Sequence, residues 1–309
     1  MRRLGLAVAF GAIGALSAGC LAASRLDARV TEARDAEGAL DTLHDFEVGE
    51  VGAKSRIADL EGLYAASGGD SRVSLLLARA WVKLSFEFTL DAHERALESG
   101  DSPGAAYHLL RAQSGYRRAQ FYADAWLERR APGFGAALSD EPALPAWLSR
   151  NLASADAAEI LLWAGLSRIG AANATRTESA SAASESARRV GISLLNQSLA
   201  LAPATASGFA HVGLALSAAQ ARAPDLALIE RELGLAETAA PGRLLVPLLR
   251  ARLLACKRHD RRAFEREIER VLSASDPDPR LRLENATAKR RARRYLTSSV
   301  VGAECFDAK

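Results

Sequence analysis

Little in this chain suggests chemistry. Three cysteines in 309 residues, Cys20, Cys256 and Cys305, cannot build a disulfide-dense scaffold or a multi-cysteine zinc site. The five histidines, His44, His93, His108, His211 and His259, stand alone, none at metal-ligand spacing from another or from a cysteine. There is no phosphate-binding glycine loop, no Gly-x-Ser-x-Gly elbow and no His-Glu-x-x-His. Neither charge sign dominates: 40 basic residues face 37 acidic ones, a formal net charge of +3. That excludes the broad positive field a nucleic-acid partner requires. Ten prolines and almost no β-branched runs leave an alanine- and leucine-rich chain that favours helix over strand. The expectation is a non-enzymatic, all-α protein with no catalytic residue, no metal and no cofactor.

The N-terminus carries the clearest pattern. Arg2-Arg3 precede an apolar run from Leu4 to Ala15, and Leu16-Ser17-Ala18-Gly19-Cys20 closes it. Positive end, apolar core and small-residue exit make a secretory signal peptide, residues 1–19. The closing residues resemble the lipobox of bacterial lipoproteins. That resemblance implies cleavage before Cys20 and its acylation with palmitate-type chains. The apolar run is shorter than the roughly 20 residues that a membrane span needs, whereas several acyl chains hold firmly. Leu21, rather than aspartate, follows the cysteine. By comparison with other lipoproteins this favours the periplasmic face of the outer membrane. Residues 20–50 are polar and acidic and read as a lipid-anchored spacer with one weak helix. Residues 51–309 read as a single domain.

Within that domain the stripes recur at helical spacing. Ile57, Leu60, Leu63 and Tyr64 form one, ended by Gly68-Gly69. Asp70 or Ser71 caps the next helix, which runs to about Glu98 and carries Val73, Leu76, Leu77, Trp81, Leu84 and Phe88. Asp101-Ser102-Pro103 opens a second long helix, to about Arg130. Pro132, Pro142 and Pro145 then suggest an extended loop. Leu152 to Ile169 is helical, whereas the Ala/Ser-rich stretch 171–187 fits either a poorly packed helix or a loop.

A repeat follows. Leu195, Ile229 and Phe264 begin matching apolar pairs spaced 34 and 35 residues apart, the period of tetratricopeptide helix pairs. Phe209-x-x-Val212-Gly213-x-x-Leu216 fits the first helix of such a unit in degenerate form. The fold expected is an α-solenoid of tetratricopeptide-like pairs. The last helix, from about Asp278 to Leu296, crowds Lys289, Arg290, Arg291, Arg293 and Arg294 into its second half. A solvated face complementing the helix dipole accounts for them, with a basic docking patch as the alternative. Asp91 and Glu94 beside His93 read as charges on a solvated face.

Eight aromatics fall between Trp81 and Trp126. They pack a core or, for some, line a groove or channel. The candidates for lining are Trp81, Phe88, Tyr116, Tyr122, Trp126 and Trp163. Cys256 and Cys305 pair in an oxidising compartment, or else remain apart, one buried and one near a loose tail.

Together Leu75 to Ala80 with Phe86-Glu87-Phe88, Arg117-Arg118-Ala119, Leu161 to Ala164, Leu195 to Pro203, Gly208 to His211, Ala263-Phe264-Glu265 and, most specifically, Arg282 to Arg293 resemble the T-component lipoproteins of tripartite ATP-independent periplasmic (TRAP) transporters. The resemblance implies a homotrimer with a ligand-accessible channel. It also implies association with a solute-binding P-component that carries a hydrophobic or organic-acid solute. The segment 171–187 and the extension Val300 to Lys309 depart from the family. A scaffold lipoprotein for envelope assembly, with no small ligand, is the rival expectation.

Overall fold

The computed structural model describes residues 24–175, 181–203, 208–276 and 278–307. The expected signal peptide and Cys20 lie outside them, as do residues 176–180 of the Ala/Ser-rich stretch. Every regular element among the described residues is helical, and the fold is all-α.

Aspartates start several of the helices. Asp45 accepts from the Val48 amide to open α2 (Phe46–Ala66), and Asp70 accepts from Arg72 and Val73 to open α3 (Ser71–Lys83). A π-helical turn, Leu84–Thr89, joins α3 to α4 (Leu90–Glu98). Asp101 caps α5 (Ser102–Arg130), with Pro103 in its first turn where no amide is needed. Each such cap contributes about 1 kcal/mol.

Two stretches pack more fully than their composition suggests, the first of them where one weak helix is expected. Residues 24–41, placed in the spacer by composition, form a helix, α1. Its Val30 and Ala33 are buried in the core. Glu37 and Asp41, on the same helix, are buried against Arg79 of α3. The apolar stripe of α1 is too thin to read alone, because acids occupy part of its inner face. The prolines after Arg130 do not make an extended loop either. Glu128 accepts from the Gly133 and Gly135 amides at 2.7 and 2.8 Å and turns the chain into α6 (Phe134–Ala137). Pro145 then sits in the first turn of α7 (Leu144–Asn151), starting a helix rather than breaking one. Phe134 is fully buried against Trp147.

Three helix pairs follow. In the first, α8 (Ala158–Asn173) packs on α9 (Ala182–Leu201) with backbones in contact. A Cβ added to Gly165 would lie 2.9 Å from the Gly191 carbonyl. The second pairs α10 (Phe209–Ala219) with α11 (Leu226–Ala239). The third pairs α12 (Leu245–Arg250), prolonged by a second π turn at Ala251–Ala255, with α13 (Arg261–Ser273). Leu195, Ile229 and Phe264 are each buried on the second helix of a pair. Gly213 lets α10 seat closely, since a Cβ there would lie 2.6 Å from Leu166. The chain ends in α14 (Arg282–Thr297) and α15 (Ser299–Cys305). The C-terminal tail is not loose through α15, because a disulfide ties Cys305 to Cys256.

Two large apolar clusters result. One is built from α1 to α9, around Leu77, Tyr122, Leu127 and Leu161. The other is built from α10 to α15, around Ile229, Leu233 and Ile268. Phe86 and Phe209 touch both.

Candidate functional site

At the seam between the clusters lies an apolar cavity of about 290 Å³. Leu90, Leu109, Leu166, Ile169, Val212 and Leu249 supply much of its wall. Both π turns open onto it: the first contributes Phe86 and Glu87, the second Arg252 and Leu253. A π turn carries one residue more than an α turn and re-aims its side chains, and such turns gather at functional sites. The first is locked by α5, whose Gly115 faces Ser85 so closely that a Cβ would lie 2.2 Å from the Ser85 hydroxyl.

A second cavity, about 410 Å³, is charged. Arg79, Arg243 and Arg280 line it together with Asp41, Asp278 and Glu284. Lys83, Trp163 and Phe209 line both cavities. The two rings, 6.0 Å apart between centroids, therefore stand at the boundary between an apolar chamber and a charged vestibule.

A sequence profile of the TRAP transporter T-component matches residues 43–300. The chain belongs to that family. No curated protein matches it. Membership makes it an accessory component of a TRAP transporter, in a family of transporter parts rather than enzymes.

The site of this T-component holds buried charge. Glu87 is 2 % exposed, and neither carboxylate oxygen has a hydrogen-bond partner. Its nearest cation is Lys83 Nζ at 3.9 Å. Burial pushes the Glu87 carboxyl up to about 7. Burial opposes the Lys83 charge, but Glu87 and Asp41 outweigh it and hold the ammonium above its ordinary value. Burial also raises the Tyr116 hydroxyl, and Asn173 presents a buried Oδ1 with no partner. The chamber thus offers a greasy wall and a few polar atoms free to bond a guest.

Of the six aromatics singled out from sequence, Tyr116 and Trp163 line the chamber. Phe88 turns away to pack on Phe46, at 5.1 Å between centroids, beside a small separate cavity. Trp81 and Tyr122 both bond Glu61, and Tyr122 stacks edge-on against Tyr64. Trp126 packs against the first core. The other aromatic wall residues are Phe86, Phe209 and Tyr295.

Arg293 of α14 is exposed, but Arg290, Arg291 and Arg294 are not a solvated face. Arg291 is 5 % exposed, and Arg290 and Arg294 turn inward onto Asp91 of α4, at 3.2 and 2.6 Å. Asp91, read as a surface charge, is fully buried. Arg95 adds a contact at 3.3 Å and Arg291 one at 3.8 Å, so four guanidinium groups surround one carboxylate. Glu94 completes the cluster by accepting from Arg294 and from the Tyr295 hydroxyl. No histidine, cysteine or acid among the described residues forms a group of three able to hold a metal.

Proposed function

We propose that this T-component is a lipoprotein, anchored through Cys20 at the periplasmic face of the outer membrane. It assembles as a trimer, docks a solute-binding P-component and passes a hydrophobic or organic-acid solute through the passage between vestibule and chamber. One observation carries the ligand-transfer part: two cavities of opposite character share Lys83, Trp163 and Phe209. An apolar body and a polar head would each find a matching environment across that boundary. Anchoring and trimerisation rest on the lipobox-like residues and on the family resemblance.

The test uses the purified full chain with a TRAP P-component loaded with radiolabelled solute. Parent protein should co-migrate with the P-component and take up label. Leu216→Trp, which fills the chamber, should still co-migrate but take up none. A P-component that never co-migrates with the parent would sink the docking role. Equal uptake by parent and variant would sink the passage. The scaffold reading draws on the outer face of α5, where Tyr107, Leu110 and Phe121 are exposed beside Arg111 and Arg118. It predicts that filling the chamber changes nothing in the cell.

A further inference from the structure

Arg243 is the unusual residue of the vestibule. It is 3 % exposed, and its guanidinium lies 3.9 Å from the centroid of the Phe209 ring. Its Nε faces Glu284 at 3.1 Å without a hydrogen bond, and Nη1 is likewise buried with no hydrogen-bond partner. A buried guanidinium donor left unpaired costs about 1–3 kcal/mol or more, so it persists where something compensates.

The other charges of the vestibule face partners, although Arg79 Nε, 3.1 Å from Glu37, is buried without a hydrogen bond. Asp41 takes Arg79 and Lys83. Asp278 takes Arg280 at 2.9 Å. Glu159 faces Arg79 at 4.0 Å and the Trp163 indole at 3.4 Å. The acid nearest Arg243 is Glu284, whose carboxyl burial raises, which weakens its hold as a counter-ion. What remains at the boundary is the Arg243 guanidinium, which lies over the ring that also walls the apolar chamber.

We propose that Arg243 receives the carboxylate of an amphipathic acid whose apolar body lies in the chamber beyond Phe209 and Trp163. This rests on the ligand-passage reading above and narrows it. It names the ligand class, an acid with a single carboxylate on a hydrophobic body, and it names the residue that selects it. The guanidinium fork presents parallel donors to a carboxylate, and the Phe209 face lies against it. A neutral molecule of the same shape could enter the chamber but would leave Nη1 unpaired.

The test is isothermal titration calorimetry on the purified full chain with two probes, 4-phenylbutyrate and 4-phenylbutan-1-ol. The parent should bind the acid at least roughly tenfold more tightly than the alcohol, the ratio expected for one charge-assisted bond. Arg243→Gln should lose that preference while still binding the alcohol. Retained alcohol binding shows that the variant is folded and the chamber intact. Should Arg243→Gln bind neither probe, the double variant Arg243→Gln/Glu284→Gln, which leaves no stranded carboxyl, is scored in its place. Equal affinity of the parent for acid and alcohol would overturn the proposal and leave the passage standing. An undiminished preference in the scored variant would overturn the assignment to Arg243. Failure of the parent to bind either probe would overturn both this proposal and the ligand passage, whereas docking of a P-component would be untouched.

Discussion

Asp91 and Glu87 lie four residues apart on one continuous helical run, and their surroundings could hardly differ more. Asp91 is ringed by four arginines and has hydrogen bonds to two of them. Glu87 has one lysine at 3.9 Å and no hydrogen bond. The first arrangement joins α4 to α14 across some 200 residues of sequence. The second faces an open chamber. Buried charge can therefore serve as a fastener where all partners are supplied by the chain. Where a partner is withheld, it stays open to the chamber, as the proposed ligand passage requires.

Removing the centre of the fastener should have the largest effect. Asp91→Ala removes the acid that four guanidinium groups share and leaves Arg291 only Glu94, at 3.8 Å; breaking a buried ion cluster costs about 3–5 kcal/mol. Chemical denaturation should show that loss, and a loss under 1 kcal/mol would mean the cluster is not a fastener.

Glu87 should behave in the opposite sense. Its folded-state value, about 7, lies above the 4.5 of an ordinary glutamate. The folded state thus holds this proton more tightly than the unfolded one. Stability from this group is fully present below pH 4.5 and is lost as pH rises through about 7. The decline should be on the order of 2–3 kcal/mol across that window. Glu87→Gln, which cannot ionise, should flatten it. A pH profile of denaturation midpoints identical in parent and variant would show that Glu87 does not titrate there.

The smallest effect is expected at the rim of the fastener. Arg290 also reaches Glu47 at 2.8 Å and stacks on Phe46, but three guanidinium groups remain around Asp91 without it. Arg290→Ala should cost about 1 kcal/mol. A loss as large as that of Asp91→Ala would mean the cluster acts as one indivisible unit.

Much of the architecture can be read from residues alone, because its signals are local. Asp70, Asp101 and Pro103 mark helix starts by chemistry that acts within three residues. The spacing of Leu195, Ile229 and Phe264 marks the helix pairs for the same reason, since each pair is one short unit. The site is not local. A stripe from Val73 to Leu90 looks like one uniform helix, and nothing in its period shows that a π turn turns Phe88 toward Phe46 and Phe86 toward the chamber. Counting aromatics could find Tyr116 and Trp163 but could not separate them from Tyr122 and Trp126. Nor could the arginine run of α14 reveal its inward face, because its acids lie on α4. Val30 and Ala33 of α1 are obscured in the sequence by the acids around them: Glu32 between them is exposed, whereas Glu37 and Asp41 after them are buried beside Arg79 and Lys83.

The widened turn at Leu84–Thr89 also sets a phase. Helical residues advance by about 100° each, so deleting a single residue there would let the ladder relax to ordinary α geometry and swing everything after it round the axis. Asp91 would then point away from Arg290, Arg291 and Arg294. One lost codon in this turn would do what no single substitution on the surface of α4 could: release α14 from the whole inward face of α4 at once.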